Sequence, residues 1–150
     1  MGDRTYHQGS IIASKPETVA ALREVVGDYV DDESARGRLI EYTVEEAYLG
    51  TTVNEIVPAI REIDPDAAFY CWEDPKYEFL GQVIISDGTD TYWADCGVDG
   101  APLLTYSNVE YATKHEGKTL DEAFGRPVID GWNRAHDAVM VENGVAPTKR

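Results

Sequence analysis

The sequence predicts an α+β fold: a mostly antiparallel sheet packed by two longer helices, with a further helix near the C-terminus. Three observations point to it. Residues 15–30 carry an apolar stripe at helical spacing behind a start signal, and residues 67–96 switch to period two and turn back around Asp87-Gly88. Past Pro127 the spacing becomes helical again.

Residues 5–13 form the first strand, with Gly9 as its weak point. Ser14 then offers an acceptor to free backbone N–H groups, and Glu17 stands three residues on as its capping-box partner. Pro16 falls in the first turn, where no N–H is needed. Val19, Leu22, Val26, Tyr29 and Val30 supply the stripe of a helix over 15–30. Asp28, Asp31, Asp32 and Glu33 close it. Four acids oppose the macrodipole there, so helix stability did not select them; a solvated turn or a functional acidic patch would.

Residues 38–44 alternate, with Ile40, Tyr42 and Val44 against Leu39, Glu41 and Thr43, and predict a strand. Glu45-Glu46-Ala47-Tyr48-Leu49 fits a helix as well. Thr52 with Glu55 makes a second capping box, opening a helix through Val53, Ile56, Val57, Ile60 and Ile63. Pro58 inside it removes a backbone bond and kinks or restarts the helix. Asp64-Pro65-Asp66 closes that element as a turn.

Ala67 to Trp72 is a strand with Phe69 and Cys71 on one side and Tyr70 and Trp72 on the other. Residues 79–86 and 89–96 make a hairpin around Asp87-Gly88, a preferred pair for the type I′ turn. A two-residue loop pairs Val83 with Tyr92, Ile84 with Thr91 and Gln82 with Trp93. Phe79, Val83, Ile85, Tyr92, Ala94 and Cys96 then form a core face. Leu80, Gln82, Ile84, Thr91, Trp93 and Asp95 form a partly covered one. Gly97, Gly100 and Pro102 mark a turn before a strand from Leu103 to Tyr111. Thr119 with Glu122 caps a short helix ending at Gly125. Pro127 opens the last helix, through Val128, Ile129, Trp132, Ala135, Val139 and Met140, stopped by Asn143-Gly144. A single domain over 1–150 is expected, with 1–4 and 146–150 as loose ends. The element order resembles that of ferredoxin-like architectures.

The 150 residues hold 28 Asp and Glu against 13 Lys and Arg, a formal charge of −15. Domains that bind nucleic acid directly gather cations against phosphate, so no direct nucleic-acid contact is expected. A hydrophobic fraction of 43% supports a core and argues against global disorder. Met1-Gly2-Asp3-Arg4 leads into a polar stretch and not into an apolar signal, and residue 6 is Tyr, which does not fit myristoylation. The longest apolar run, Ala67 to Trp72, is six residues, against the roughly 20 a bilayer requires. Two cysteines, Cys71 and Cys96, make no disulfide framework. A cytoplasmic protein without a membrane partner is the expectation.

No phosphate loop, dinucleotide fingerprint or nucleophile elbow occurs. His7, His115 and His136 lie far apart, Cys-x-x-Cys is absent, and Asp87-Gly88-Thr89-Asp90 lacks the ligand series of a calcium loop, so neither metal nor cofactor is expected. Cys96 follows Asp95 in a stretch without Lys or Arg between residues 77 and 113. Such surroundings suit a buried small hydrophobe better than a nucleophile. A hydrolase built on two carboxylates has no signature here, since 28 acids supply pairs by chance.

Three explanations fit the acidity, which is spread along the chain: residues 1–75 hold 16 acids and 6 bases, residues 76–150 hold 12 and 7. The protein mimics duplex DNA and occupies the cationic groove of a nucleic-acid enzyme. It is an acidic adaptor or assembly component that docks through an aromatic strip of Tyr70, Trp72, Tyr77 and Trp93 set among acids such as Glu73 and Asp74. Or its acidity reflects a salt-rich cytosol and is not functional, which readmits an enzyme. The expectation is a non-enzymatic inhibitor of the first kind, similar in size and charge to small acidic phage or plasmid proteins that block restriction or CRISPR enzymes. Its partner-binding residues are Asp28, Asp31, Asp32, Glu33, Glu41, Glu45, Glu46, Asp64, Asp66, Tyr70, Trp72, Glu73, Asp74, Asp87, Asp90 and Trp93.

Overall fold

The structure is a computed structural model and describes residues 3–27, 30, 37–103, 105–119, 122, 130 and 133. Six strands, β1 (Arg4–Ile12), β2 (Leu39–Tyr48), β3 (Ala68–Glu73), β4 (Gly81–Ser86), β5 (Thr91–Cys96) and β6 (Pro102–Leu103), form one sheet in the order β2-β1-β3-β4-β5-β6. Every neighbouring pair is antiparallel. Helices α1 (Val19–Val26), α2 (Val57–Ile63) and α3 (Tyr106–Lys114) complete the described fold. The α+β class is as expected, but the strand order is not that of a ferredoxin-like sheet. Because β1 lies antiparallel to both β2 and β3, those two run parallel to each other on either side of it, joined through α2. One split β-α-β unit is present; the β3–β6 meander stands where a second would be.

Side chains alternate across this sheet, so each strand serves two environments. On one face Ile11, Ile40, Tyr42, Phe69, Cys71 and Ile84 pack against Leu22 and Val26 of α1 and against Ile56, Val57 and Ile60. On the reverse, Val83, Ile85, Ala94 and Cys96 gather with Tyr70, Trp72 and Tyr92. Gly9 fits where two backbones approach closely: a Cβ there would lie 2.6 Å from the Tyr70 carbonyl and 2.9 Å from the Tyr42 hydroxyl.

Several expectations are corrected. Arg4, expected in a loose end, pairs with Tyr48. The Ser14 and Thr52 capping boxes do not form, because each hydroxyl has a tertiary partner: Ser14 Oγ donates to Asp64 Oδ1 at 2.6 Å, and Thr52 Oγ1 lies 2.8 Å from His7 Nδ1. Pro58 restarts its helix as foreseen, a π-helical turn over Thr52–Ile56 giving way to α2. Residues 45–49 are strand as far as Tyr48. Their pattern looked ambiguous because a β-bulge, the register passing from His7↔Val44 to Thr5↔Ala47, breaks the alternation at Glu45-Glu46 and leaves both side chains exposed.

The β4–β5 loop has four residues, not two. Asp87 Oδ1 accepts from the N–H groups of Thr89 and Asp90 at 2.9 and 2.8 Å, and Ser86 pairs with Thr91. Pairing moves by two residues to Ile84↔Trp93 and Val83↔Ala94, which keeps each residue on its expected face. Phe79, assigned to the core face, is 49% exposed in the loop before β4. The segment Leu103 to Tyr111 is mostly helix. Thr105 Oγ1 accepts from Asn108 N–H, and Asn108 Oδ1 accepts from Thr105 N–H, a reciprocal cap that opens α3. Thr119 Oγ1 accepts from Glu122 N–H at 3.2 Å, the bond expected of its capping box, while the short helix expected as far as Gly125 lies, apart from Glu122, outside the described residues. The helix expected from Pro127 lies outside the described residues except for Asp130 and Asn133, both helical.

Candidate functional site

Two acids expected at a partner surface are internal. Asp64, 2% exposed, accepts from Ser14 N–H, Ser14 Oγ, Thr18 Oγ1 and Asp66 N–H. Burial alone would raise its pKa; these donors outweigh burial and hold the carboxyl below its usual value. Asp64 therefore ties the end of α2 to the start of the α1 segment. Glu73, 3% exposed, accepts from Gly50 N–H through both oxygens, at 2.9 and 3.1 Å, and fixes the turn after β2.

The aromatic strip is not one surface. Cys71, Ile84 and Trp93 are cross-strand neighbours, so Trp93 projects from the helix-bearing face, while Tyr70 and Trp72 project from the reverse. Trp93 is 53% exposed. Tyr70 and Trp72 are half-buried and stack edge-to-face with ring centroids 5.4 Å apart. The Tyr70 hydroxyl donates to the Gly100 carbonyl at 2.7 Å, and Gly100, at φ 73°, lies so close under the Trp72 ring that a Cβ would approach it to 2.7 Å.

A different aromatic group is exposed, at the end of the sheet where β1 begins, β2 ends and β3 turns into β4. Tyr6, Tyr48, Tyr77, Phe79 and Leu80 are all exposed there, Tyr77 at 76%. Register places these elements together: Arg4 pairs with Tyr48, His7 with Glu73, and Glu73 with Gln82. Tyr77 and Glu78 form the tip of a tight turn closed by reciprocal backbone bonds between Lys76 and Phe79 at 3.0 and 2.9 Å. Tyr77 has φ 51°, the conformation that glycine normally supplies at the first central position of such turns. Held this way, the ring meets solvent, with the Lys76 ammonium 5.1 Å from its centroid. Glu45, Glu46, Asp74 and Glu78 lie in the same group of strand ends and loops.

Of the remaining expected residues, Asp66, Asp87 and Asp90 gather at the opposite end, where the carbonyl of Asp66 lies under Gly88. Glu41 sits on the reverse face of β2, partly exposed. Asp28, Asp31, Asp32 and Glu33 lie outside the described residues; Val30, among them in sequence, bridges Tyr42 of β2. Among the described residues, acids stand at both ends of the sheet.

On the reverse face, Gln8, Ser10, Glu41, Thr43 and Trp72 line a groove of about 280 Å³. Cys71 and Cys96 fall on opposite faces of the sheet. Burial pushes each thiol up to about 12, and at Cys96 the acids Asp74, Glu73 and Asp95 add to the shift, so neither forms a thiolate near neutral pH. Among the described residues no group of three His, Cys, Asp or Glu is placed to hold a metal ion. No described helix is long and apolar enough to cross a membrane.

Tyr77, Asp74, Glu45 and Glu46 of this end are among the residues the sequence singles out, but Phe79 and Leu80 are not, because they continue the alternation of β4 in sequence. The turn itself is hidden because Tyr77-Glu78 lacks the glycine or asparagine a tight turn calls for. No protein-family model matches the chain, and comparisons with curated proteins and with solved structures also return no match.

Proposed function

We propose that this is a non-enzymatic acidic binding protein that captures a basic protein through the aromatic end of its sheet. One observation carries the reading: Tyr6, Tyr48, Tyr77, Phe79 and Leu80 stay in solvent amid carboxylates, and Tyr77 does so in a backbone conformation unfavourable to it. Exposed tyrosines supply large rigid contact area at low entropic cost, and such anchors dominate interface energies. The surrounding acids, on a chain of charge −15, favour a cationic partner, speed the encounter and reject acidic competitors. Enzymes that bind nucleic acid carry broad cationic clefts, so they are the foremost partner class, and occupation of such a cleft in place of DNA is the inhibitory form of the proposal.

The test is capture by the immobilised full chain at low and at high salt, followed by a challenge with duplex DNA. Charge-led docking predicts a basic protein retained in low salt, released as the Debye length falls from about 10 Å at 0.1 M to about 3 Å at 1 M. In the inhibitory form DNA also displaces it. An empty resin, or a captured set indifferent to salt, contradicts the proposal. A partner that salt releases and DNA does not leaves an acidic adaptor.

A further inference from the structure

We propose that the groove on the reverse face is a receptor for one arginine side chain of the captured protein; the inference rests on the acidic-docking reading and names the chemistry of its contact. Glu41 lies beside Ser10 across the β2–β1 ladder, and Thr43 beside Gln8, which in turn neighbours Trp72 on β3. Residues opposite one another in adjacent strands stand roughly 5 Å apart, and same-face residues along a strand about 7 Å apart. Four side chains bearing acceptor oxygens thus form the corners of a patch of guanidinium size on a rigid floor. Trp72 bounds it on one side.

None of the four is engaged in a side-chain hydrogen bond or ion pair with another described residue, and no Lys or Arg lines the groove. Its volume of about 280 Å³, near the lower bound of roughly 300 Å³ for small-molecule pockets, leaves room for one long side chain. A guanidinium fits this lining better than an ammonium. It offers five N–H donors in a planar fork for Glu41 and its neighbours and a flat face for the indole, and it sheds water more readily. Tyr6 stands two residues before Gln8 on the same face of β1, so the groove opens beside the aromatic end and both can engage one partner.

The experiment titrates the full chain at low salt with a peptide of alternating arginine and glycine, and with its lysine and glutamine counterparts, reading affinity and the indole N–H resonance of Trp72. The arginine peptide is expected to bind more tightly than the lysine peptide and to shift that resonance, while the glutamine peptide does not bind. Glu41→Gln weakens the arginine peptide about tenfold, the loss of one charge-assisted pair. Glu62→Gln, which removes the same charge from the exposed side of α2, changes affinity less than twofold. Thr43→Lys, which puts a cation into the groove, abolishes the shift. Equal effects of the Glu41 and Glu62 substitutions, with Trp72 unmoved, would overturn the groove while leaving acidic docking intact. Failure of every cationic peptide to bind would remove both, and a Trp72 shift produced only by a neutral oligosaccharide would reassign the groove to sugars.

Discussion

The two turns flanking β4 solve the same problem in opposite ways. At residues 87–90 the left-handed position is filled by Gly88, at φ 94°, and Asp87 satisfies two amides of the loop with its own carboxylate. Gly88 and the Asp87 side chain there both serve closure of the turn. At residues 76–79 the left-handed position is filled by Tyr77, which is 76% exposed. A bulky residue in that conformation costs roughly 1–2 kcal/mol, and solvent exposure recovers little of it. One turn obeys local rules and the other violates them, and violations of this kind concentrate where the surface has a task.

The contrast breaks most readily at the support beneath the first turn. Gly88 rests on the carbonyl of Asp66, and Asp66 N–H is held by Asp64. Asp64→Ala leaves Ser14 and Thr18 without their acceptor and should cost about 3 kcal/mol, the upper range for bonds to a buried charge, read by urea unfolding. The pH dependence follows from the same group. Its folded pKa lies below the unfolded value of about 3.9, so its stabilisation is complete above that value and is lost as pH falls through the folded one. In Asp64→Asn that part of the acid sensitivity should vanish.

Gly88→Ala should cost about 2 kcal/mol, because a Cβ at positive φ would stand 2.7 Å from the Asp66 carbonyl oxygen. Tyr77→Ala should leave the melting temperature within a degree or two yet weaken partner capture about thirtyfold, the loss of one interface anchor, measured by calorimetry. The smallest effect has the most telling sign: Tyr77→Gly should raise unfolding stability by about 1 kcal/mol, since glycine adopts that φ without strain.

How much of this was legible depends on whether a residue's partner lay nearby in the chain. The alternation of β1, β3, β4 and β5 could be read directly, as could the restart at Pro58 and the cap at Thr119. The capping signals at Ser14 and Thr52 misled because Asp64 and His7, some 50 and 45 residues away, offered these hydroxyls better partners than a helix end does. Glu45-Glu46 looked helical because a bulge breaks period two. Pairing in the β4–β5 hairpin slipped because the loop has four residues, closed by Asp87 N–H on the Asp90 carbonyl and by the Asp87 side chain, and not two in a type I′ turn. At the site, Glu41 and Trp72 could each be picked out as a candidate. Their shared groove exists only because β1 inserts between β2 and β3, a fact of topology that no local pattern carries.

The decisive measurement is the dissociation constant of the Tyr77→Gly chain for the captured basic partner, set beside that of the unaltered chain at the same low salt. If the strained tyrosine is kept for docking, the more stable variant binds at least tenfold more weakly. Equal affinity in the two chains would mean that the exposed end of the sheet takes no part in binding.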